Sequence, residues 1–161
     1  MKPGQASLTA RAVAAYRLGF ERAPSPAVGD PAADDRLAAT VADGLEVDRD
    51  TRMGRYLHAR TAFFDGVVIA ALGRGTTQVV NLGAGYDGRA LRYRHAGVRW
   101  FEVDHPDTQA DKRQVLDELG IDHADVRFVP VDLTTDRGLA GRLAAAGLDP
   151  TSEALVLWEG V

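Results

Sequence analysis

The chain has 161 residues, of which 45% are hydrophobic and 26% charged, the size and balance of one globular domain and not of a disordered chain. A formal charge of -4 speaks against nucleic acid or an anionic membrane as the main partner, since both require clustered Lys and Arg. With no cysteine, disulfides, cysteine-ligated zinc and thiol catalysis are excluded.

No apolar run approaches the ~20 residues that span a bilayer, and the start MKPGQASLTAR lacks a signal-peptide core, so a cytoplasmic protein is expected. Lys2 and Lys112 are the two lysines among many arginines and alanines, a usage that fits a GC-rich bacterial genome.

Residues 1–75 read as a helical segment. Leu8, Ala12, Ala15 and Gly19 recur at helical spacing with Val13, Tyr16 and Phe20 beside them, predicting a helix over 8–22 that ends at Pro24 and Pro26. Residues 23–35, rich in Pro, Ala and Asp, read as a loop. A second helix is expected over 36–44 and a third over 55–72, where Ala59, Ala62, Phe63, Val67 and Ala70 are expected to line one face. Gly73 and Gly75 then stop it.

From Thr76 the texture changes. Short apolar, β-branched or aromatic runs at 77–82 (TQVVNL), 98–103 (VRWFEV), 126–131 (VRFVPV) and 154–158 (ALVLW) read as strands. Helical patterns at 87–95, 106–119 and 136–146 separate them. Alternation of this kind implies a doubly wound α/β fold with a mostly parallel, Rossmann-like sheet over 76–161. The sequence closes with Trp158-Glu159-Gly160-Val161, directly after the fourth strand. A sheet ending there leaves an uncovered parallel edge, so an incomplete fold, truncated at the C-terminus, is expected.

The loop Asn81-Leu82-Gly83-Ala84-Gly85-Tyr86-Asp87-Gly88 follows the first strand. Glycines there let the backbone turn tightly and approach a ligand, and Gly83, Gly85 and Gly88 satisfy GxGxxG. Asp104 ends the second strand about twenty residues later, where a carboxylate can accept from both ribose hydroxyls. The order strand, glycine turn, helix, strand, acid points to a nucleoside-bearing ligand, against the plainer reading of a structural turn and a solvated acid. NAD or NADP would use the turn for a pyrophosphate and usually places it near the N-terminus. S-adenosyl-L-methionine carries no phosphate but a sulfonium, an ammonium and a carboxylate, and needs acids and bases beside the glycines. Asp132-Leu133 and Glu159, after the third and fourth strands, supply candidates where open α/β sheets bind ligands. Asp132 also reads as an ordinary turn residue, and Glu159 as an ordinary exposed chain end.

Five blocks carry a resemblance: HARTAFFD (58–65), VVNLGAGYDGRALR (79–92), FEVDHPDTQADKR (101–113), VRFVPVDL (126–133) and LWEGV (157–161). In order and spacing they resemble the leucine carboxyl methyltransferase-like family of bacterial S-adenosyl-L-methionine-dependent methyltransferases, polyketide O-methyltransferases included; the first ~50 residues do so only loosely. The resemblance implies a methyltransferase in which Arg60 contacts the methionine carboxylate, and Gly83, Ala84 and Gly85 lie against the cofactor. Asp104 would hold the ribose, Asp132 and Leu133 the adenine edge, and Glu159 the ammonium. By their length, the helical residues 1–75 are expected to supply a lid or substrate wall. Gly88 departs from the family pattern, in which Thr is frequent.

Methyl transfer from a sulfonium is an in-line displacement, so positioning and exclusion of water do most of the work. A carboxylate acceptor needs no base, whereas a phenol or alcohol often does. His58 and His105 are candidate bases, though a histidine near a strand end is more often a hydrogen-bonding scaffold. O-methylation of a small-molecule hydroxyl or a carboxyl group is the expected reaction. An NAD(P)-dependent oxidoreductase and an inactive cofactor-binding fragment remain the alternatives.

Overall fold

A computed structural model describes residues 7–159; Gly160 and Val161, which end the last of the five blocks, lie outside it. The chain order is α1 (Leu8–Arg17), α2 (Pro31–Val41), α3 (Arg52–Gly73), β1 (Gln78–Leu82), α4 (Arg89–Arg92), β2 (Arg99–Asp104), α5 (Pro106–Glu118), β3 (Val126–Pro130), α6 (Leu139–Ala145) and β4 (Leu155–Trp158). Among the described residues no helix is long and apolar enough to cross a membrane.

The four strands form one open, all-parallel sheet in the order β3-β2-β1-β4. Because successive side chains alternate between the two faces of a strand, Val79, Trp100, Val126 and Leu157 fall on one face, where α3 and the α4 turn cover them. Val80, Phe101, Val103 and Val129 fall on the other, under α6. Helices on both faces make the sheet doubly wound, as the alternation in sequence required. A further cluster joins Ala14, Leu37 and Val41 of the N-terminal helices to Tyr86, Leu91 and Leu116, so α1 and α2 pack directly on the segments flanking the glycine turn. At the β4 edge Val156 and Trp158 are exposed.

Three expectations are corrected. The first helix stops at Arg17, not Arg22, because the residues beyond it turn inward: Phe20 stacks on His58 and Arg22 pairs with Asp65. The segment 23–35 is not all loop: Asp30 caps α2 by accepting from Ala33 N at 2.9 Å, with Pro31 in the first turn. The inward face of α3 is Leu57, Thr61, Asp65, Val68 and Leu72, whereas Phe63 points outward. A buried carboxylate that needs partners outweighs the alanine stripe in deciding that rotation.

Those partners form a lattice of ions beneath the glycine turn. Asp65 accepts from Arg22 Nε at 2.5 Å and from Arg89 Nε at 2.7 Å. Asp34 accepts from Arg92 Nε at 2.5 Å and Arg22 Nη1 at 3.3 Å. Burial alone would raise the Asp65 carboxyl, but hydrogen bonds and charge from Arg22 and Arg89 hold it below its ordinary 3.8. Gly88 is part of the same arrangement. A Cβ there would lie 1.8 Å from Asp34 Oδ1, so the position has no room for a side chain while Asp34 holds Arg92 and Arg22.

Gly88→Ala is expected to cost about 1–3 kcal/mol by forcing the pinned Asp34 carboxylate aside, lowering the melting temperature by roughly 3–10 °C. Asp65→Asn leaves Arg22 and Arg89 short of a buried counter-charge, an expected loss of about 3–5 kcal/mol in urea unfolding at neutral pH. Because the folded carboxyl titrates below its unfolded value, its contribution is present above 3.8 and lost as pH falls through the lower folded value. Urea midpoints taken between pH 6 and pH 2 should therefore fall less steeply for Asp65→Asn than for the parent chain.

Candidate cofactor site

The connection from β1 through α4 runs on one face toward β2, while β4, reached by way of α6 on the other face, lies on the opposite side of β1. This is a topological switch point, where open α/β sheets leave a crevice at the carboxyl ends of their strands. A cavity of about 330 Å³ occupies it, within the usual range for small-molecule sites.

Its floor is the glycine turn. Gly83 and Gly85 adopt φ of 65° and 50°, left-handed values that favour glycine. Gly83 N and Ala84 N both donate to Val103 O, at 2.8 and 3.1 Å, tying the turn to β2. From below, Lys112 Nζ donates to Asp87 O at 2.7 Å and to Glu102 at 2.6 Å, all three residues being buried. At the end of β2, Asp104 Oδ2 accepts from Gly85 N at 2.5 Å and Oδ1 from His105 N at 2.6 Å. A carboxylate offers about four lone-pair sites, so Asp104 retains acceptor capacity toward the cavity.

All eight residues singled out in the sequence, Arg60, Gly83, Ala84, Gly85, Asp104, Asp132, Leu133 and Glu159, line this one cavity. Asp132 is at once a wall and a turn residue: Thr134 N and Oγ1 donate to its Oδ1 at 2.9 and 2.6 Å, and these bonds lower its pKa. Of the two histidines, His105 lines the cavity and caps α5. His58 stacks on Phe20, ring centroids 4.8 Å apart, and is not a lining residue.

Sequence reasoning missed Arg17, Asn81, Tyr86 and Asp87, which also line the cavity. Arg17 had no motif to single it out. Asp87 was visible only as a helix-entry residue, and the expected helix over 87–95 is a single turn, Arg89–Arg92; Asp87 Oδ1 accepts Arg89 N at 2.9 Å, closing a turn that delays its start. Burial would raise the Asp87 carboxyl, but the charges of Arg17 and Arg89, the Arg89 N–H and Lys112 outweigh it and hold it far below its usual range.

Charge is divided along the cavity. In the strand order β3-β2-β1-β4, Asp132 and Asp104 sit at the β3 and β2 ends, while Asp87 follows β1 and Glu159 follows β4. Three inter-strand spacings amount to about 14 Å. Glu159 accepts from Arg89 Nη1 at 2.6 Å, Arg60 Nε at 2.9 Å and Arg17 Nη2 at 3.2 Å. One end of the crevice is therefore suited to hydroxyl and amine donors, and the other, with cations and anions interleaved, to a zwitterion.

The family model for leucine carboxyl methyltransferase matches residues 11–161. A protein of Mycobacterium sp. (strain MCS), named "Putative S-adenosyl-L-methionine-dependent methyltransferase", is 34% identical over 161 residues, covering 96% of this chain and 66% of its own. Proteins whose names say the same are 35% identical in Mycolicibacterium smegmatis, over 95% of this chain and 56% of theirs, and 39% identical in Parafrankia sp. (strain EAN1pec), over 95% and 52%. The chain thus spans between about half and two-thirds of the length of these curated relatives. Its matched region takes in the glycine turn, the acids at the strand ends and both N-terminal arginines of the cavity, and the chain belongs to the leucine carboxyl methyltransferase family.

Proposed function

We propose that this cavity binds S-adenosyl-L-methionine, and that the chain forms the cofactor-binding part of a methyltransferase acting on an oxygen of a small molecule or a carboxyl group. The observation that carries the reading is the charge pattern of the lining. Asp87, Asp104, Asp132 and Glu159 bring four carboxylates, against guanidinium groups from Arg17 and Arg60. A ligand with a sulfonium, an ammonium and a carboxylate suits that set; a pyrophosphate at the glycine turn would lie beside the Asp87 carboxylate. The helix that would greet a phosphate is a single turn whose first N–H is already taken by Asp87, which speaks against NAD or NADP.

In this reading Asp104 accepts from the ribose hydroxyls, Asp132 and Leu133 border the adenine, and Gly83, Ala84 and Gly85 allow backbone contact. Glu159 receives the ammonium and Arg60 the carboxylate. The bound cofactor supplies an electrophilic methyl group. The chain's own residues bind, orient and exclude water, with α1 and α3 of the N-terminal segment walling the cavity. Among the described lining residues the one histidine, His105, stands at the β2 end beside Asp104, on the sugar side. The names of the family and of the relatives agree with the methyltransferase reading.

Calorimetric titration of the chain with S-adenosylhomocysteine should give one saturable site, with no heat from NAD or NADP. Asp104→Ala should weaken that binding by about 100-fold, the effect of losing two hydrogen bonds to a charged acceptor. Absence of any S-adenosylhomocysteine binding by the parent chain would overturn the proposal.

A further inference from the structure

The charged end of the cavity contains more cations than the reading above employs. Glu159 uses its two oxygens differently. Oε2 is fixed by Arg89 Nη1 at 2.6 Å, and Arg89 is fully buried, with further bonds to Asp87 and Asp65. Oε1 accepts from Arg60 Nε at 2.9 Å and from Arg17 Nη2 at 3.2 Å, and both of these arginines line the cavity.

Arg17 is the more loosely engaged. Its side chain is only 10% exposed, its Nη2 is divided between Glu159 at 3.2 Å and Asp87 at 3.4 Å, and its buried Nε has no hydrogen-bond partner. A guanidinium held only by two long bonds at one nitrogen gains from a second carboxylate that can take its terminal nitrogens in a two-pronged fashion. Breaking its present contacts also costs less than breaking those of Arg89.

We propose that Arg17 selects the carboxylate of the amino-acid head, acting with Arg60; the inference rests on the reading of the cavity as an S-adenosyl-L-methionine site. A zwitterion carries both charges of an Arg–Glu pair on one carbon. Its ammonium takes the place of the guanidinium groups at Glu159 Oε1, its carboxylate receives them, and local charge stays balanced. A nucleoside without the head leaves the Arg–Glu pairs as they are and gains nothing from them. A head with an ammonium but no carboxylate displaces the arginines without repairing their loss. Selection of this kind separates intact cofactor and product from their shortened or decarboxylated relatives.

The test is calorimetric titration of the 161-residue chain with three probes. They are S-adenosylhomocysteine, 5′-methylthioadenosine, and 5′-deoxy-5′-(3-aminopropylthio)adenosine, which keeps the ammonium and lacks the carboxylate. The parent chain should favour S-adenosylhomocysteine over the decarboxylated probe by about 100-fold. Arg17→Gln should weaken S-adenosylhomocysteine by roughly 10- to 50-fold, the scale of one charge-assisted pair, with 5′-methylthioadenosine within about twofold. Arg17→Lys, which keeps the charge but not the two-pronged geometry, should recover only part of the loss. If Arg17→Gln weakens all three probes alike, or leaves the carboxylate preference intact, Arg17 only supports α1 and the proposal fails. If the parent chain does not bind S-adenosylhomocysteine, the cofactor reading itself falls, and this inference with it.

Discussion

The buried guanidinium of Arg89 is the point on which the rest of the arrangement depends. It joins Asp65 of α3, Asp87 of the glycine turn and Glu159 beyond β4 through bonds of 2.6 to 2.7 Å. Burial works against its charge, but three carboxylates more than offset that penalty and raise its pKa above the ordinary value. A charge so placed is favourable only while all its partners stay in position. It thereby couples the N-terminal helices, the turn and the last strand into one electrostatic unit and fixes where the cavity lies.

Strand order turns that unit into a polarised crevice. Because β4 is inserted beside β1 and not beyond β3, the acid following it stands at the far end of the carboxyl edge from Asp132. The donors and acceptors along that edge consequently change in character from one end to the other. The N-terminal helices contribute Arg17 and Arg60, and the sheet contributes the carboxylates. Neither part alone presents a balanced lining.

Much of this was legible in the residues. The four strands lie within one or two residues of their expected places, because each is a short run rich in β-branched or aromatic residues set between helical patterns. The glycine turn and its acid could be read from spacing, since the backbone leaves little choice of residue at φ values of 65° and 50°. What escaped was decided by long-range pairing. Nothing near Phe20 or Arg22 shows that their partners are His58 and Asp65, so the end of α1 was misplaced. The start of α2 did carry a local signal, Asp30 followed by Pro31, which the surrounding Pro, Ala and Asp obscured. Arg17 carried none, because what distinguishes it is a pair of acids at positions 87 and 159.

Lys112 has a practical consequence. The chain has two lysines in all, and this one is only 2% exposed, clamped between Glu102 and the Asp87 carbonyl. An acylating reagent can reach its amine only when β2, α5 and the turn separate. Acylation at position 112, followed by mass spectrometry, would therefore act as a built-in clock for opening of the floor of the crevice.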